Sequence, residues 1–384
     1  MSIRSRTDKF LDSFAKSFTV YNVIKLHSSA LLNNVSVLSK LEPQNNIIPV
    51  LKSNAYGHGL REIARILKDN EFPYIAVDGY FEALAVHEVS NQPVLVMGAI
   101  APDNFTRINS KNCTFVVHDK QTIDAMGKSR KKFSLHLEID SGMTRHGVVP
   151  RLVLDYVNLI KSYDNLILDG VMSHLAESDN LDNNFTEKQT IIFDDCVGQI
   201  INSGIKLKWI HIAQSAGLSK AKSKYANASR TGIAMYGINP LCDEDEYFEK
   251  YTDLEPVLEL VSTVTKIQQI KKGTSVSYGR TYIAGKDTKI AILPLGYYEA
   301  IPRELSNKGH VDINGKLRKI AGRVCMNITM IDAGATDVKV GDKAVIISSD
   351  KKSSISAQSI CTENNLFVYE FLTSLNQNIR RKII

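Results

Sequence analysis

The sequence predicts an α/β fold in which an N-terminal (β/α)8 barrel precedes a C-terminal, mainly β domain. Three observations support this prediction. Eight short apolar runs alternate with helical patterns over about 190 residues. No GxGxxG motif follows the first run, which disfavours an open doubly wound sheet as the alternative. After Glu255 the helical patterns stop, and short alternating runs separated by turn residues take their place.

Composition limits the classes of protein to consider. The chain has 384 residues, of which 43% are hydrophobic, enough for a large core and two domains. A net charge of +6, with 47 basic and 41 acidic residues spread along the chain, requires no nucleic-acid partner. The five scattered cysteines indicate reduced thiols. No stretch reaches the length of a transmembrane span, so we expect a cytoplasmic protein without a membrane partner.

The elements follow in a regular order. A polar leader, residues 1–19, is a candidate to pack on the β domain, and the alternating stretch Thr19–Leu26 is a candidate strand of that domain. The next stretch, Ser28–Leu41, has helical spacing from Ala30 onward. We expect the barrel to occupy residues 20–250 and the β domain residues 251–384. The predicted barrel strands are Ile47–Lys52, Tyr74–Asp78, Val94–Ala99, Cys113–His118, Phe133–Asp140, Leu166–His174, Trp209–Ser215 and Thr231–Tyr236.

The same patterns predict the helices of the barrel and the strands of the second domain. Helical patterns between the barrel strands include Leu60–Asp69, Phe81–Val89, Leu152–Ser162 and Glu187–Ile201. The predicted strands of the second domain are Val257–Ile267, Thr288–Leu295, Lys316–Ile320, Met326–Ile331 and Lys343–Ser348.

Lys52 lies at the end of the first predicted strand, where the chain turns. Lysine is seldom buried without a reason, and an apolar setting lowers its pKa by disfavouring the charged form. Such a lysine is a nucleophile toward aldehydes. The residues from Tyr56 to Gly59 add a phenol and free N–H groups suited to an anion. Taken alone, the alternative is an ordinary turn with a solvent-facing lysine.

Other polar residues end later strands. Working residues of such barrels come from the C-terminal ends of the strands, and the last two strands often hold phosphate. By this rule Ser215 and Gly232 are candidates for a phosphate site, although a helix N-cap and a packing glycine are the alternatives. His174 is either catalytic or a satisfied core residue. Arg230 is either a surface ion pair or the partner of a cofactor's ring nitrogen.

Five strings resemble the alanine racemase family in order and in spacing, from about residue 20 to the C-terminus. They are the lysine motif at 50–59, Ser-His-Leu-Ala at 173–176, Arg-Thr-Gly-Ile-Ala-Met-Tyr-Gly at 230–237, Ser-Tyr-Gly-Arg-Thr-Tyr at 277–282 and Gly-Arg-Val-Cys-Met at 322–326. The resemblance implies a head-to-tail homodimer that interconverts L- and D-alanine with pyridoxal 5′-phosphate (PLP) and supplies D-alanine for peptidoglycan. We expect no metal, because the sequence has no Cys/His/Asp cluster at ligand spacing.

The resemblance also implies roles for individual residues. Lys52 would hold PLP covalently and act as one base, and Tyr278 of the other subunit would be the opposite base. Arg230 would face the pyridine nitrogen, and Arg145 would contact the phenolic oxygen of PLP and the substrate carboxylate. Tyr278 would lie near His174, with Met326 of the same subunit near the substrate. The phosphate would be bound by Tyr56, Ser215, Gly232, Ile233 and Tyr369.

Several positions depart from the family pattern. The usual Gly-Tyr-Ala-Asp-Gly appears as residues 296–300, Gly-Tyr-Tyr-Glu-Ala, while Gln214 replaces asparagine and Asn327 replaces aspartate. The substrate range is therefore open, and a racemase of serine or of a broader set of amino acids is the alternative. A decarboxylase of similar architecture fits the Tyr278 and Arg230 motifs less well. A PLP-binding carrier is the alternative outside enzymes, but such proteins lack the β domain.

Glu138 occupies a position where many members of the family have a lysine carboxylated by carbon dioxide. Residues Ser134, His136, Glu138 and Asp140 share one parity of their strand, which we assign to the barrel interior. The resemblance implies that Glu138 supplies the same negative charge permanently and orients Arg145. The alternative is that Glu138 pairs with a different cation.

Overall fold

A computed structural model describes residues 18–42 and 44–384 of the chain. The predicted leader therefore lies almost entirely outside the described residues. The first strand, β1 (Val23–Leu26), is followed by helix α1 (Ser28–Leu41). Eight parallel strands come next: β2 (Asn46–Pro49), β3 (Ile75–Val77), β4 (Val94–Val96), β5 (Cys113–Val117), β6 (Phe133–Glu138), β7 (Leu166–Met172), β8 (Trp209–His211) and β9 (Ala228–Thr231).

These eight strands close into the predicted barrel. Strand β9 pairs with β2 in parallel, and β3 lies at the other end of the hydrogen-bonded order. A parallel bridge between Val50 and Ala76 joins the two ends, and the N–H of Leu51 donates to the carbonyl of Ala76 at 2.8 Å. The connecting helices are α2 (Leu60–Leu67), α3 (Tyr80–His87), α4 (Lys120–Lys128), α5 (Val153–Lys161) and α6 (Asn184–Asn202).

The two faces of the barrel strands bury different sets of side chains. One parity of β6 (Phe133, Leu135 and Leu137) belongs to the large core beneath the helices, and the other parity points inward. A second buried cluster packs inside the barrel; it comprises Ile48, Val50, Tyr74, Ala76, Leu95, Val116, Met172 and Ala228. His136 and Glu138 are buried on the inward side of β6, as their parity predicts.

The last barrel strand differs from the predicted one. Thr231–Tyr236 was expected to be a strand, but the strand is Ala228–Thr231 and a 3₁₀ helix covers Ile233–Tyr236. Strand β9 is short and polar, so its sequence does not indicate that it is buried. The apolar residues that follow it pack beneath α1. There the Nδ2 of Asn34 donates to the carbonyl of Met235 at 3.0 Å. Tertiary contact therefore outweighs the local β pattern.

The second domain is built mainly of strands. Its strands are β10 (Leu258–Thr263), β11 (Lys266–Ile270), β12 (Ser275–Val276), β13 (Tyr282–Ile283), β14 (Thr288–Leu293), β15 (His310–Ile313), β16 (Lys316–Lys319), β17 (Thr329–Gly334), β18 (Lys343–Ile347) and β19 (Arg380–Ile383). The run predicted over Val257–Ile267 is two strands, and the run over Met326–Ile331 is shifted to Thr329–Gly334. Two helices absent from the prediction, α7 (Ala357–Asn364) and α8 (Val368–Thr373), precede β19.

Strand β1 belongs to the sheet of the second domain. It lies between β10, with which it pairs antiparallel, and β19, with which it pairs in parallel. The full order of this sheet is β16-β15-β18-β10-β1-β19, and β11-β14-β17 form a separate three-stranded sheet. The first and last strands of the described residues are thus neighbours in one sheet. As a result, β19 and α8 lie against the barrel beside the segment that carries Lys52.

Candidate active site

A cavity of about 700 Å³ opens at the C-terminal ends of the barrel strands. All the residues expected to bind the cofactor line it: Lys52, Tyr56, Arg145, His174, Ser215, Arg230, Gly232, Ile233 and Tyr369. Glu138 and Gln214 also lie in its wall. The fold therefore collects into one cavity side chains that are more than 300 positions apart in the sequence.

Lys52 begins a turn with an unusual backbone. Residues Ser53, Asn54 and Ala55 have φ of 55°, 55° and 53°, and Tyr56 continues at 51°. Side chains with a Cβ strongly disfavour the left-handed region, at a cost of roughly 1–2 kcal/mol per residue. Four consecutive residues in this region indicate a segment that its surroundings hold in place, as is typical of functional sites.

Contacts from neighbouring elements stabilise this turn. Oε1 of Glu82, on α3, accepts from the N–H of Ser53 at 2.7 Å, and Oδ1 of Asn54 accepts from the N–H of Leu60 at 2.9 Å. Gly57 follows with φ of 82°, and a Cβ there would lie 1.9 Å from the carbonyl oxygen of Leu372 on α8. Only glycine fits at this contact, so the second domain shapes the segment that presents Lys52.

Burial makes Lys52 a competent base. Removal from water lowers the pKa of its amine below the ordinary value, with the cations Arg145 and Arg230 contributing in the same direction. Asp78, which also lines the cavity, opposes this shift. The net effect raises the neutral fraction of an amine that would otherwise be protonated.

Arg230 is buried and fixed by five hydrogen bonds. Its Nη1 donates to Nδ1 of His211 at 2.5 Å and to the His211 carbonyl at 3.2 Å. Its Nη2 donates to the carbonyls of Ser173 and Ile212 and to Nδ1 of His174 at 3.2 Å. Burial lowers the pKa of Arg230 to about 10, so the guanidinium stays charged at neutral pH. This excludes the surface ion pair that the sequence left open.

His174 lies between Arg230 and the cavity. Because an arginine N–H can only donate, Nδ1 of His174 is the acceptor and a neutral ring carries its proton on Nε2. Burial and the nearby cations lower the pKa of His174 to about 3, which keeps the ring neutral at physiological pH. His174 therefore offers one N–H donor to the cavity and adds no charge to it.

Ser215, Gly232 and Tyr56 form one side of the cavity. Oγ of Ser215 accepts from the N–H of Gly232 at 2.9 Å and from the N–H of Ala234 at 3.3 Å. With both lone pairs engaged, the serine hydroxyl is free to donate. A Cβ at position 232 would lie 2.4 Å from the Tyr56 hydroxyl, so this close approach requires glycine.

Two phenols complete this side. Burial raises the pKa of Tyr56 and raises that of Tyr369 to about 12. Their ring centroids are 6.1 Å apart. Both phenols therefore stay neutral and able to donate, and together with the Ser215 hydroxyl they make a set of donors suited to an anion such as phosphate.

Glu138 contacts a histidine. Its Oε2 lies 3.7 Å from Nδ1 of His118, and the His118 ring packs against His146 with centroids 4.6 Å apart. Among the described residues no hydrogen bond joins Glu138 to Arg145, although both line the cavity. The orientation of Arg145 by Glu138 therefore stays a prediction.

Tyr278 and Met326 do not reach this cavity within one chain. Both belong to the second domain, where 71% of Tyr278 and 56% of Met326 is exposed. Asn327 and Glu299, two positions that depart from the family pattern, contact each other: Nδ2 of Asn327 donates to Oε1 of Glu299 at 2.9 Å.

Three residues that shape the site were not predicted from the sequence. Glu82 and Asp78 lie just after β3, and the acidic residue in the first turn of α3 was the available signal. His211 ends β8, and a histidine in a short buried strand was the signal for it. No described group of three or more His, Cys, Asp or Glu side chains has the spacing of a metal site.

Comparison with known proteins agrees with this geometry. The profile of the alanine racemase N-terminal domain matches residues 26–240, and that of the C-terminal domain matches residues 257–383. This chain belongs to the alanine racemase family.

Relatives and solved structures cover nearly the whole chain. The alanine racemase of Citrifermentans bemidjiense is 32% identical over 94% of this chain and 97% of its own length. That of Staphylococcus carnosus is 33% identical over 93% of each chain. The Clostridium difficile alanine racemase structure superposes with a TM-score of 0.88 at 26% identity, covering 96% of this chain and 97% of its own. A Bacillus anthracis alanine racemase structure with bound L-Ala-P gives 0.86 at 28% identity, covering 96% of each chain.

Proposed function

We propose that this protein is a PLP-dependent racemase that interconverts L- and D-alanine. The observation that carries the proposal is the placement of Lys52, an amine with a lowered pKa, in the same cavity as the buried cation Arg230. Membership of the alanine racemase family supports it. The product D-alanine would supply peptidoglycan synthesis in the cytoplasm. No helix within residues 18–42 and 44–384 is long and apolar enough to cross a membrane.

The residues of the cavity fit PLP. Lys52 would bind it covalently, and the donors Tyr56, Ser215 and Tyr369, with Gly232 and Ile233, would hold its phosphate. Arg230 would face the pyridine nitrogen, which a neighbouring permanent cation keeps unprotonated. Arg145 would contact the phenolic oxygen and the substrate carboxylate. When bound, PLP delocalises the electron pair left on the substrate Cα after a proton is removed.

The protein's own groups move the proton. Nζ of Lys52 accepts or returns the Cα proton on one face of the substrate, and its lowered pKa keeps the free amine available. A second base is needed on the opposite face, and the Tyr278 phenolic oxygen is our candidate. Nε2–H of His174 is the donor in the cavity wall that would stabilise that phenolate. Lys52 would serve D-alanine and Tyr278 would serve L-alanine.

Tyr278 and Met326 would come from a second copy of the chain. Both are exposed and neither lines the cavity of its own chain. The same surface exposes further large apolar side chains, Tyr297, Tyr298 and Ile328. A homodimer would bury this surface and complete each cavity with residues of the other subunit. We propose no nucleic-acid or membrane partner.

Reductive trapping tests the assignment of Lys52. Borohydride treatment of the purified holoenzyme should fix the cofactor to the peptide that contains Lys52, and Lys52→Ala should lose both label and alanine racemisation. Lys68→Ala, at an exposed lysine that does not line the cavity, serves as the control and should keep both. A label on another lysine, or full activity of Lys52→Ala, would contradict the proposal.

A panel of amino acids tests the substrate. We expect L-alanine to give the highest kcat/KM, with serine next, because Tyr278 and Tyr297 would crowd a long side chain. Comparable turnover of lysine or arginine would contradict the preference for alanine while leaving racemisation intact. Covalent PLP without turnover of any amino acid would favour the carrier alternative.

A mixing experiment tests the shared site. Lys52→Ala and Tyr278→Phe homodimers should each be nearly inactive. Heterodimers formed from them should regain activity, because one of their two cavities has an intact lysine and an intact partner tyrosine. Heterodimers that form without recovering activity would place Tyr278 in its own subunit's site or outside the reaction.

A further inference from the structure

Three buried side chains form a continuous line through the interior of the barrel. Nη1 of Arg230, on β9, donates to Nδ1 of His211 at 2.5 Å. Nε2 of His211, on β8, lies 2.8 Å from Nδ1 of His136, on β6. All three residues are almost fully shielded from solvent, with at most 3% exposed. The line begins at the cavity and ends in the centre of the barrel.

The direction of every hydrogen bond in this line is fixed by its first member. A guanidinium has donors and no acceptor, so Nδ1 of His211 must accept. A neutral His211 then carries its proton on Nε2 and donates it to Nδ1 of His136. Burial lowers the pKa of both rings, that of His136 to about 3, so neither is cationic at neutral pH. His136 therefore carries its own proton on Nε2.

The far end of the line has no competing acceptor. Among the described residues, Nε2 of His136 has no hydrogen-bond partner. It faces Gly170 of β7, where a Cβ would lie 2.6 Å from it. The Tyr74 ring stands edge-on to the His136 ring at 5.3 Å. An apolar residue at position 136 would fill the same space but would leave Nε2–H of His211 without an acceptor.

We propose that His136 is a positioning residue that holds His211 in its Nε2–H tautomer, and that this tautomer in turn holds the Arg230 guanidinium in the cavity. In the other tautomer, Nδ1–H of His211 would point at a donor of Arg230. That hydrogen bond would then be lost, and Nη1 of Arg230 would keep only the longer bond to the His211 carbonyl at 3.2 Å. The tautomer assignment stands on the geometry alone, whereas its effect on catalysis rests on the proposed racemase function.

Nitrogen NMR of ¹⁵N-histidine-labelled holoenzyme tests the assignment directly, because protonated and bare ring nitrogens have well-separated shifts. We expect both rings to be neutral and protonated at Nε2 at pH 7. Spectra of His136→Asn and His211→Asn identify the two signals. A proton on Nδ1 of His211, or a cationic ring at either position, would overturn the proposal whatever reaction the protein catalyses.

Two substitutions separate positioning from packing. Asparagine at position 136 can place an amide oxygen where Nδ1 of His136 accepts, whereas leucine fills space without an acceptor. We expect His136→Asn to keep the His211 tautomer and activity within about threefold, and His136→Leu to lower kcat by about 10–100-fold with a changed His211 signal. If the leucine variant fails to fold, the wild-type spectrum and the asparagine variant still test the proposed tautomer of His211. An unchanged His211 signal in His136→Leu, or equal losses in both variants, would contradict the proposal.

Discussion

The Glu82 carboxylate accepts a hydrogen bond from the backbone N–H of Ser53 at 2.7 Å, directly after Lys52 in the chain. The other oxygen of the same carboxylate accepts from the N–H groups of Asp78 and Gly79 at 2.8 and 3.3 Å. One side chain on α3 thus connects the loops that follow the first two barrel strands. It also satisfies the first N–H of the left-handed turn.

We predict that Glu82→Ala destabilises the protein by about 1–3 kcal/mol, because three backbone donors lose their acceptor. The variant should also release PLP more readily, since the turn that presents Lys52 is no longer held. Urea unfolding and dialysis followed by absorbance measure the two effects. Glu88→Ala, at the exposed Arg61 ion pair beyond the end of α3, is the control and should change stability by about 0.5 kcal/mol or less. Equal behaviour of the two variants would remove Glu82 from this role.

The contact between Glu299 and Asn327 can be tested by substitutions that change the charge of each side chain. At present the Asn327 amide donates to Oε1 of Glu299 at 2.9 Å. Asn327→Asp would replace this donor with a second carboxylate beside Glu299. We expect this variant to lose about 0.5–1 kcal/mol of stability and Glu299→Gln to restore it in the double variant. A double-mutant cycle from urea unfolding measures the coupling. Additive effects of the two changes would show that the contact is energetically unimportant.

His58 predicts a pH dependence of stability. Its ring is fully buried and stacks on Tyr236 with centroids 4.3 Å apart. Burial lowers its pKa from 6.5 to about 4. The unfolded chain therefore binds a proton at a higher pH than the folded chain, and stability must fall as the pH drops from about 6.5 toward 4.

We expect the contribution of His58 to this loss to be about 2 kcal/mol between pH 7 and pH 5. His58→Asn cannot titrate, so the stability difference between it and wild type should narrow by that amount over this range. Urea unfolding at the two pH values measures it. His310→Asn, at an exposed histidine, should show no comparable narrowing. A parallel pH dependence of wild type and His58→Asn would contradict the prediction.

Because position 138 is a glutamate, we predict that the activity of the enzyme does not depend on dissolved carbon dioxide. A permanent carboxylate in the cavity wall does not need to be formed from dissolved gas, so stripping bicarbonate should leave wild-type kcat unchanged. Glu138→Gln removes the charge at nearly constant shape, and we expect kcat to fall by about tenfold or more. Glu138→Lys should be rescued in part by added bicarbonate. A silent Glu138→Gln, or a wild-type enzyme that loses activity without bicarbonate, would exclude this role.

Much of the architecture was predictable from the sequence because it depends on local patterns. The alternation of apolar runs with helical spacing predicted the barrel, which closes through a bridge between Val50 and Ala76. The position of Lys52 after a buried strand predicted its place at the mouth, since the C-terminal ends of parallel strands meet there. The parity of β6 likewise predicted that Glu138 and His136 face inward.

Other features were decided only by tertiary structure. The polar strand Ala228–Thr231 reads as a loop in the sequence, and it is a strand because β2 and β8 pair with it on either side. The left-handed backbone from Ser53 to Tyr56 is unfavourable for those residues on their own. It exists because Glu82 on α3 and Leu372 from the other domain define the space around it. Local sequence therefore determined which residues could carry the chemistry, and long-range packing determined the conformation in which Lys52 is presented.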